Sequence, residues 1–168
     1  MFDDHDYMNL ALAEAHKAAT IDEVPIGCVI VHAQQVIATG YNKRNTQRNA
    51  LAHAEIEAIA QACEYLGDWR LEGCTLYVSL EPCAMCAGAI LQARIPRLVY
   101  GARNAKGGSV DSLTPILNNN AYNHTVEIVS GVLAEASGAL MRQFFRELRH
   151  KRQRDNQHET DGVGRNLC

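Results

Sequence analysis

No apolar run in this chain approaches the roughly 20 residues that a bilayer-crossing helix needs, so a membrane-spanning protein is not expected. The start, Met1-Phe2-Asp3-Asp4, is acidic and polar where a secretory signal would be basic and then apolar. There is no internal repeat, and no stretch reads as a linker between domains. The chain also lacks a large charge of either sign. Its 16 Lys and Arg stand against 19 Asp and Glu, a net charge of −3, which argues against non-specific coating of nucleic acid.

What is present suits one globular domain. The 168 residues are 47% hydrophobic and 21% charged, enough to bury a real core. Cysteines stand at Cys28, Cys63, Cys74, Cys83, Cys86 and Cys168. In a chain of this length without a signal they point to a reducing cytoplasm and to a metal, not to a disulfide framework. The charge is unevenly placed. Between residues 142 and 154, Arg142, Arg146, Arg149, Lys151, Arg152 and Arg154 face only Glu147. Such a stripe can bind phosphate even on an acidic protein; from charge alone it reads as a solvated helix face.

The periodicity predicts an amphipathic helix from Tyr7 to Ala19 and a hairpin of Ile26–Val31 with Val36–Thr39, turned at Ala33-Gln34-Gln35. A helix is expected over Ala52–Leu66, stopped by Gly67, and an apolar strand over Thr75–Ser79. Pro82 is expected to open a small-residue helix, Cys83–Ala93. Strands follow at Arg97–Tyr100 and Val126–Val129, separated by a long irregular loop, and the last helix is Leu133–Arg152. Residues 1–154 read as the folded domain, and 155–168 as a polar, disordered tail. A hairpin followed by alternating strands and helices gives an α/β fold, a mixed sheet with helices on both faces.

Two segments carry chemistry: His53-Ala54-Glu55 and Pro82-Cys83-Ala84-Met85-Cys86. Both begin helices, where free N–H groups and the positive dipole end favour thiolates. Cys83 and Cys86 are spaced to hold one metal ion between them, and two sulfurs with one imidazole suit zinc. Three protein ligands leave the fourth position open, as in a catalytic site. Glu55 can serve only if the metal lies beyond the helix end; it would then relay protons from water to a leaving amine. A lone C-x-x-C is weak, since such pairs are often core or redox residues. The combination H-x-E with P-C-x-x-C is the signature of zinc nucleobase deaminases.

At this point the chain resembles the bacterial tRNA-specific adenosine deaminases over nearly its whole length. The resemblance is carried by Glu23-Val24-Pro25-Ile26-Gly27, Gly40-Tyr41-Asn42, Ala52-His53-Ala54-Glu55, the stretch from Thr75 to Ile90, Tyr100-Gly101-Ala102-Arg103, Asn123-His124 and Phe144-Phe145-Arg146. It implies a three-layer α/β/α cytidine-deaminase-like fold with a mixed five-stranded sheet, a homodimer, one zinc ion per subunit, and conversion of adenosine to inosine at the wobble position of a tRNA anticodon. By position, His53, Cys83 and Cys86 match the zinc ligands and Glu55 the proton shuttle. Asn42 matches a residue that holds the flipped base, and Ala54 with the Leu80-Glu81-Pro82 backbone matches the pocket walls. Lys106, Asn123, Phe144, Phe145 and Arg149 fall where the family contacts the anticodon loop. Small residues on the Cys83–Ala93 helix offer a seam for the dimer. The chain departs from the family at Asn104, usually Asp, at Asn49-Ala50, often Asp-Pro, and at Thr125, often Arg. A neutral Asn104 would lower repulsion toward the backbone and lose an acceptor for a ribose hydroxyl, loosening discrimination against DNA.

Other residues have plainer readings. Cys28 and Cys63 are expected in the core and Cys74 in a structural place, with Cys168 a free thiol. His5, His16, His32, His150 and His158 read as surface or packing histidines, and His124 is open between loop structure and RNA contact. Phe144 and Phe145 could simply be core, and Tyr41 and Trp69 read as packing residues. Two rival functions remain. A free-base or nucleoside deaminase would need no basic rim. A non-catalytic zinc-stabilised RNA-binding module would have no use for Glu55.

Overall fold

In the computed structural model of the chain, residues 2–163 are described, with side chains to residue 155. The expectations for Cys168 and for the side chain of His158 lie outside the described residues. The elements are α1 (Asp4–Thr20), β1 (Gly27–His32), β2 (Gln35–Tyr41), α2 (Ala54–Leu66), β3 (Cys74–Leu80), α3 (Ala84–Gln92), β4 (Arg97–Ala102), β5 (Glu127–Ser130) and α4 (Ala134–Val163). The five strands form one sheet in the order β2-β1-β3-β4-β5. The β1 strand is antiparallel to both β2 and β3, whereas β3, β4 and β5 run parallel. This is the mixed five-stranded sheet the sequence predicts. No helix among the described residues is long and apolar enough to cross a membrane.

Strand alternation sorts the core into two layers. Cys28, Ile30, Leu76, Val78, Leu98 and Tyr100 point to one face, where they meet Ala54, Ala58 and Ala62 of α2 and Ala87, Ile90 and Leu91 of α3. Val29, Val31, Tyr77 and Val99 point to the other, against Tyr7, Met8 and Ala11 of α1 and the approach to α4. Small alanines on α2 let that helix lie close to the sheet. The closest approach is at Gly40, where a Cβ would sit 2.2 Å from the carbonyl oxygen of Ala54. Only glycine fits there, and the fit fixes the start of α2 against β2.

Several boundaries shift for local reasons. The α1 helix starts early because Asp3 and Asp6 form a capping box: the Asp3 carboxylate accepts the His5 and Asp6 N–H groups, and Asp6 accepts that of Asp3. The hairpin turn is tighter than expected. Ala33 and Gln34 alone make it, both at positive φ (48° and 66°), the paired left-handed conformation that matches strand twist. Gln35 already pairs with His32. The α4 helix runs past the expected end at Arg152 to Val163. Between Gly138 and Gly162 no proline or glycine interrupts it, and Arg, Gln, Lys and Glu are good helix formers. Composition suggests a disordered tail from residue 155, but polarity alone does not end a helix.

Candidate active site

The site is built where two helices begin. His53 is the N-cap of α2 (φ −89°, ψ 152°) and Cys83 the N-cap of α3 (φ −74°, ψ 174°), and neither side chain caps its own helix. Each is therefore one step outside the helix the sequence assigns it to, and its side chain is free to point elsewhere. Pro82 sits ahead of the cap instead of opening the helix. Cys86 lies in the first turn of α3 and is fully buried. The His53 Nδ1 atom stands 3.7 Å from Cys83 Sγ and 3.6 Å from Cys86 Sγ. All three donor atoms lie within 4.8 Å of one another.

Those distances fit a metal. Tetrahedral zinc with bonds of about 2.0 Å to nitrogen and 2.3 Å to sulfur separates its ligand atoms by roughly 3.5 Å. No further His, Cys, Asp or Glu joins the cluster among the described residues. The donor set is thus three-membered, with one tetrahedral corner left over.

Glu55 lies in the first turn of α2, 3% exposed. Burial pushes its carboxyl up to about 7, and the negative charge that develops on Cys83 pushes the same way. The two thiols divide one proton unequally. A hydrogen bond from Cys86 and the neighbouring imidazole hold Cys83 down to about 4 against burial, while the same contact and burial push Cys86 upward. A bound cation removes that inequality, because a coordinated thiol is deprotonated outright.

The other predicted residues divide into two groups. Asn42, at the end of β2, is 6% exposed, and its N–H donates to the carbonyl of Ile26 at 3.0 Å. Ala54, Leu80 and Glu81 are also buried, on elements that end at the metal cluster. Lys106, Asn123, Phe145 and Arg149 are exposed, and Phe144 is half-buried. The two phenyl rings pack edge to face at 5.4 Å. The structure brings the first group to the ends of β2, β3 and α2; it leaves the second on the β4–β5 loop and on α4.

Sequence reasoning missed what the Glu81 side chain does. Expected only as backbone, it is 2% exposed and binds the loop after β4. Its carboxylate accepts N–H bonds from Asn104 (2.9 Å), Val110 (3.2 Å), Asp111 (2.8 Å) and Ser112 (2.9 Å), and the Ser112 hydroxyl as well. Gly108 lies so close that a Cβ there would sit 2.3 Å from the carboxyl carbon. The same loop bonds to the metal-bearing turn through Ser109 N–H and Pro82 O at 2.8 Å. Tyr100 donates its hydroxyl to Asp111 from beneath. Glu23 acts similarly on the loop before α2, its Oε1 accepting the Thr46 N–H at 2.6 Å. Nothing in local sequence pairs Glu81 with partners so far down the chain.

Some plain readings need correction. Trp69 does not pack: it is 59% exposed, with Arg70 over its ring at 5.2 Å. Cys63 packs against the core as expected, from a partly buried position with its thiol on the Trp69 carbonyl at 3.7 Å. Cys28 and Cys74 are buried as expected. His124 holds its loop, with Nε2 2.8 Å from the Ile95 carbonyl oxygen.

Fold and site together define a nucleobase deaminase. The MafB19-like deaminase family matches residues 2–149. A tRNA-specific adenosine deaminase of Bacillus subtilis (strain 168) is 49% identical over 152 residues, which cover 90% of this chain and 94% of that one. Another from Streptococcus pyogenes serotype M1 is 46% identical over 146 residues, covering 87% and 85%. Among solved structures, one from a study of A-to-I editing by tRNA:A34 deaminases at the wobble position of transfer RNA superposes with a TM-score of 0.77. It is 46% identical, and the match spans 80% of this chain and 97% of that one. A guanine deaminase from Nitrosomonas europaea, 24% identical with a TM-score of 0.74, shares the fold. The chain belongs to the tRNA-specific adenosine deaminase family.

Glu81 supplies a pH test. Burial raises its pKa, but the Ser112 hydroxyl and the backbone N–H groups win and hold it down to about 2. A depressed carboxylate stabilises fully above its unfolded value, near 4.5, and that stabilisation is lost as pH falls through about 2. Hydrogen exchange should therefore show the Asn104, Asp111 and Ser112 amides protected at pH 5 and opening progressively toward pH 2. Glu81→Gln should erase that dependence and lower stability to urea by about 2 kcal/mol, the scale of lost charge-assisted hydrogen bonds. Unchanged protection in the variant would contradict the role given to the carboxylate.

Proposed function

We propose that this chain hydrolyses the wobble adenosine of a tRNA anticodon to inosine, releasing ammonia, with one zinc ion per subunit held by His53, Cys83 and Cys86. The observation that carries the reading is the imidazole and two thiols at ligand-to-ligand spacing with a buried carboxyl beside them. The fourth corner, unclaimed by any further described His, Cys, Asp or Glu, is what a hydrolytic site needs and a structural one does not. When bound, zinc acts as a Lewis acid that makes water a nucleophile near neutral pH.

The residues of the chain do the rest. Glu55, held near 7 by its dry surroundings, can take a proton from the attacking water and return it at neutral pH. It delivers protons first to the ring nitrogen and then to the departing amine, so water enters, ammonia leaves and the carboxyl ends as it began. Asn42 holds the base, with Ala54 and the Leu80–Pro82 backbone as walls. An anticodon base reaches such a pocket only when splayed from its stack. Lys106, Asn123, Phe144, Phe145 and Arg149 contact the loop by stacking and phosphate binding. The enzyme works as a cytoplasmic homodimer joined along α3, where Met85, Gly88 and Ala89 are only half-buried.

With an anticodon stem-loop, free bases and free nucleosides offered in parallel, ammonia should appear from the stem-loop, and sequencing should read adenosine as guanosine at the wobble position. Turnover of free guanine or cytosine with an inert stem-loop would replace this reading. Glu55→Ala should lose about 10²–10⁴-fold in kcat with zinc content intact, whereas His53→Ala should lose the metal. Asn104 lies half-exposed on the latched loop beside Lys106. Asn104→Asp should raise the ratio of RNA to DNA hairpin deamination; an unchanged ratio would remove residue 104 from that discrimination.

A further inference from the structure

The β1–β2 ladder continues past the strands that carry it. Gly27 and Tyr41 are its last paired residues. One step further, the Ile26 carbonyl accepts the Asn42 N–H at 3.0 Å. The backbone does not carry the pairing beyond that point. Pro25 has no N–H to give, and the chain turns tightly around it, with the Ile26 N–H on the Val24 carbonyl at 2.8 Å. A side chain takes over instead: Glu23 Oε1 accepts the Thr46 N–H at 2.6 Å. Residues 23–26 thus grip residues 42–46 twice, Ile26 on Asn42 and Glu23 on Thr46. Asn42 lies between the sheet and this second bond.

Both halves of the second bond are fixed. The Glu23 N–H reaches back to the Ala18 carbonyl at 3.0 Å, closing the end of α1 with Asp22 at φ 58°. Thr46 sits in a turn that bonds to itself, Gln47 N–H to the Lys43 carbonyl at 2.9 Å and Asn49 N–H to the Arg44 carbonyl at 3.0 Å. Residues 44–51 are all exposed. Among the described residues, no hydrogen bond except that from Thr46 to Glu23 ties them to anything outside residues 43–53. Glu23 itself is 1% exposed, and its Oε2 has no hydrogen-bond partner among the described residues. A buried carboxylate satisfied on one oxygen is costly to the fold. The side chain is therefore placed for what it holds, at the expense of stability.

Resting on the proposed function, we propose that Glu23 is a positioning residue: by pegging Thr46 it turns Asn42 from a strand end into an interior link, and so holds Asn42 in place for the base. Element ends open before interiors do, because fewer bonds hold them. Without the peg, Asn42 keeps its one bond to Ile26 but is followed by an exposed turn with nothing beneath it. Capture of the base weakens. The metal does not, because His53, Cys83 and Cys86 are set by the starts of α2 and α3.

The test uses the full zinc-loaded chain and an anticodon stem-loop. Glu23→Met keeps a side chain of similar length and removes the acceptor, whereas Glu23→Gln keeps an acceptor oxygen. In Glu23→Met KM should rise about tenfold, the scale of one lost hydrogen bond, with kcat and zinc content held. Stability to urea should not fall, since an apolar side chain spares the fold a half-satisfied charge. Hydrogen exchange at the Thr46, Gln47 and Asn49 amides should quicken. Glu23→Gln should restore both KM and protection. In an Asn42→Ala background, Glu23→Met should add little to KM, because the two residues act as one unit. An unchanged KM in Glu23→Met, an equal loss in Glu23→Gln, or full additivity with Asn42→Ala would overturn the proposal. So would loss of zinc from Glu23→Met, which would make the peg a support for the metal ligands. If the unaltered chain does not deaminate the stem-loop, the proposed function fails instead, and exchange alone judges the peg: a Thr46 amide no faster in Glu23→Met overturns it, and a faster one upholds it.

Discussion

Everything at this site depends on two helix N-termini meeting above the edge of one sheet. Their side-chain caps are absent, and that absence is what frees His53 and Cys83 to face each other. An ordinary Ser or Asp cap would satisfy the first turn but offer no soft donor. Here the positive ends of two helices converge on a space bounded by two sulfurs and a nitrogen, an environment that favours thiolates and hence a divalent cation. The backbone makes this possible through Gly40, which lets α2 touch β2, and through the parallel pairing of β3 with β4, which brings the loop after β4 over the α3 turn.

The cluster also needs walls, and Glu81 builds one. Its buried carboxylate gathers four backbone N–H groups and a hydroxyl from residues 104–112 and so turns an irregular segment into a fixed one. A buried charge is costly unless it is fully hydrogen-bonded, and this one is. Lys106 rides on that loop. The turn that carries Cys83 and the loop that carries Lys106 are thus linked through one buried side chain.

The sequence revealed most where the chemistry is local. His53-Ala54-Glu55 and Cys83-Ala84-Met85-Cys86 are each read within a turn of helix, and the alternation in β1, β3 and β4 is visible residue by residue. The Glu81 latch was invisible because its partners lie 23 to 31 residues away and are mostly backbone groups, which no side-chain pattern marks. The extent of α4 is not legible for the opposite reason: its end is polar, a composition that does not mark where a helix stops when no glycine or proline stands between Gly138 and Gly162. The exposure of Trp69 is not legible either, because aromatic character alone does not say which side of a turn faces solvent.

The central claim is that the metal keeps one position free of protein. X-ray absorption at the zinc edge of the purified full chain, with metal content counted per subunit, tests it directly. The account predicts one zinc, with one nitrogen and two sulfur neighbours from protein and one light oxygen atom from solvent, exchangeable when a transition-state analogue of the purine is added. A spectrum with four protein donors, or sulfur numbers other than two, would contradict it.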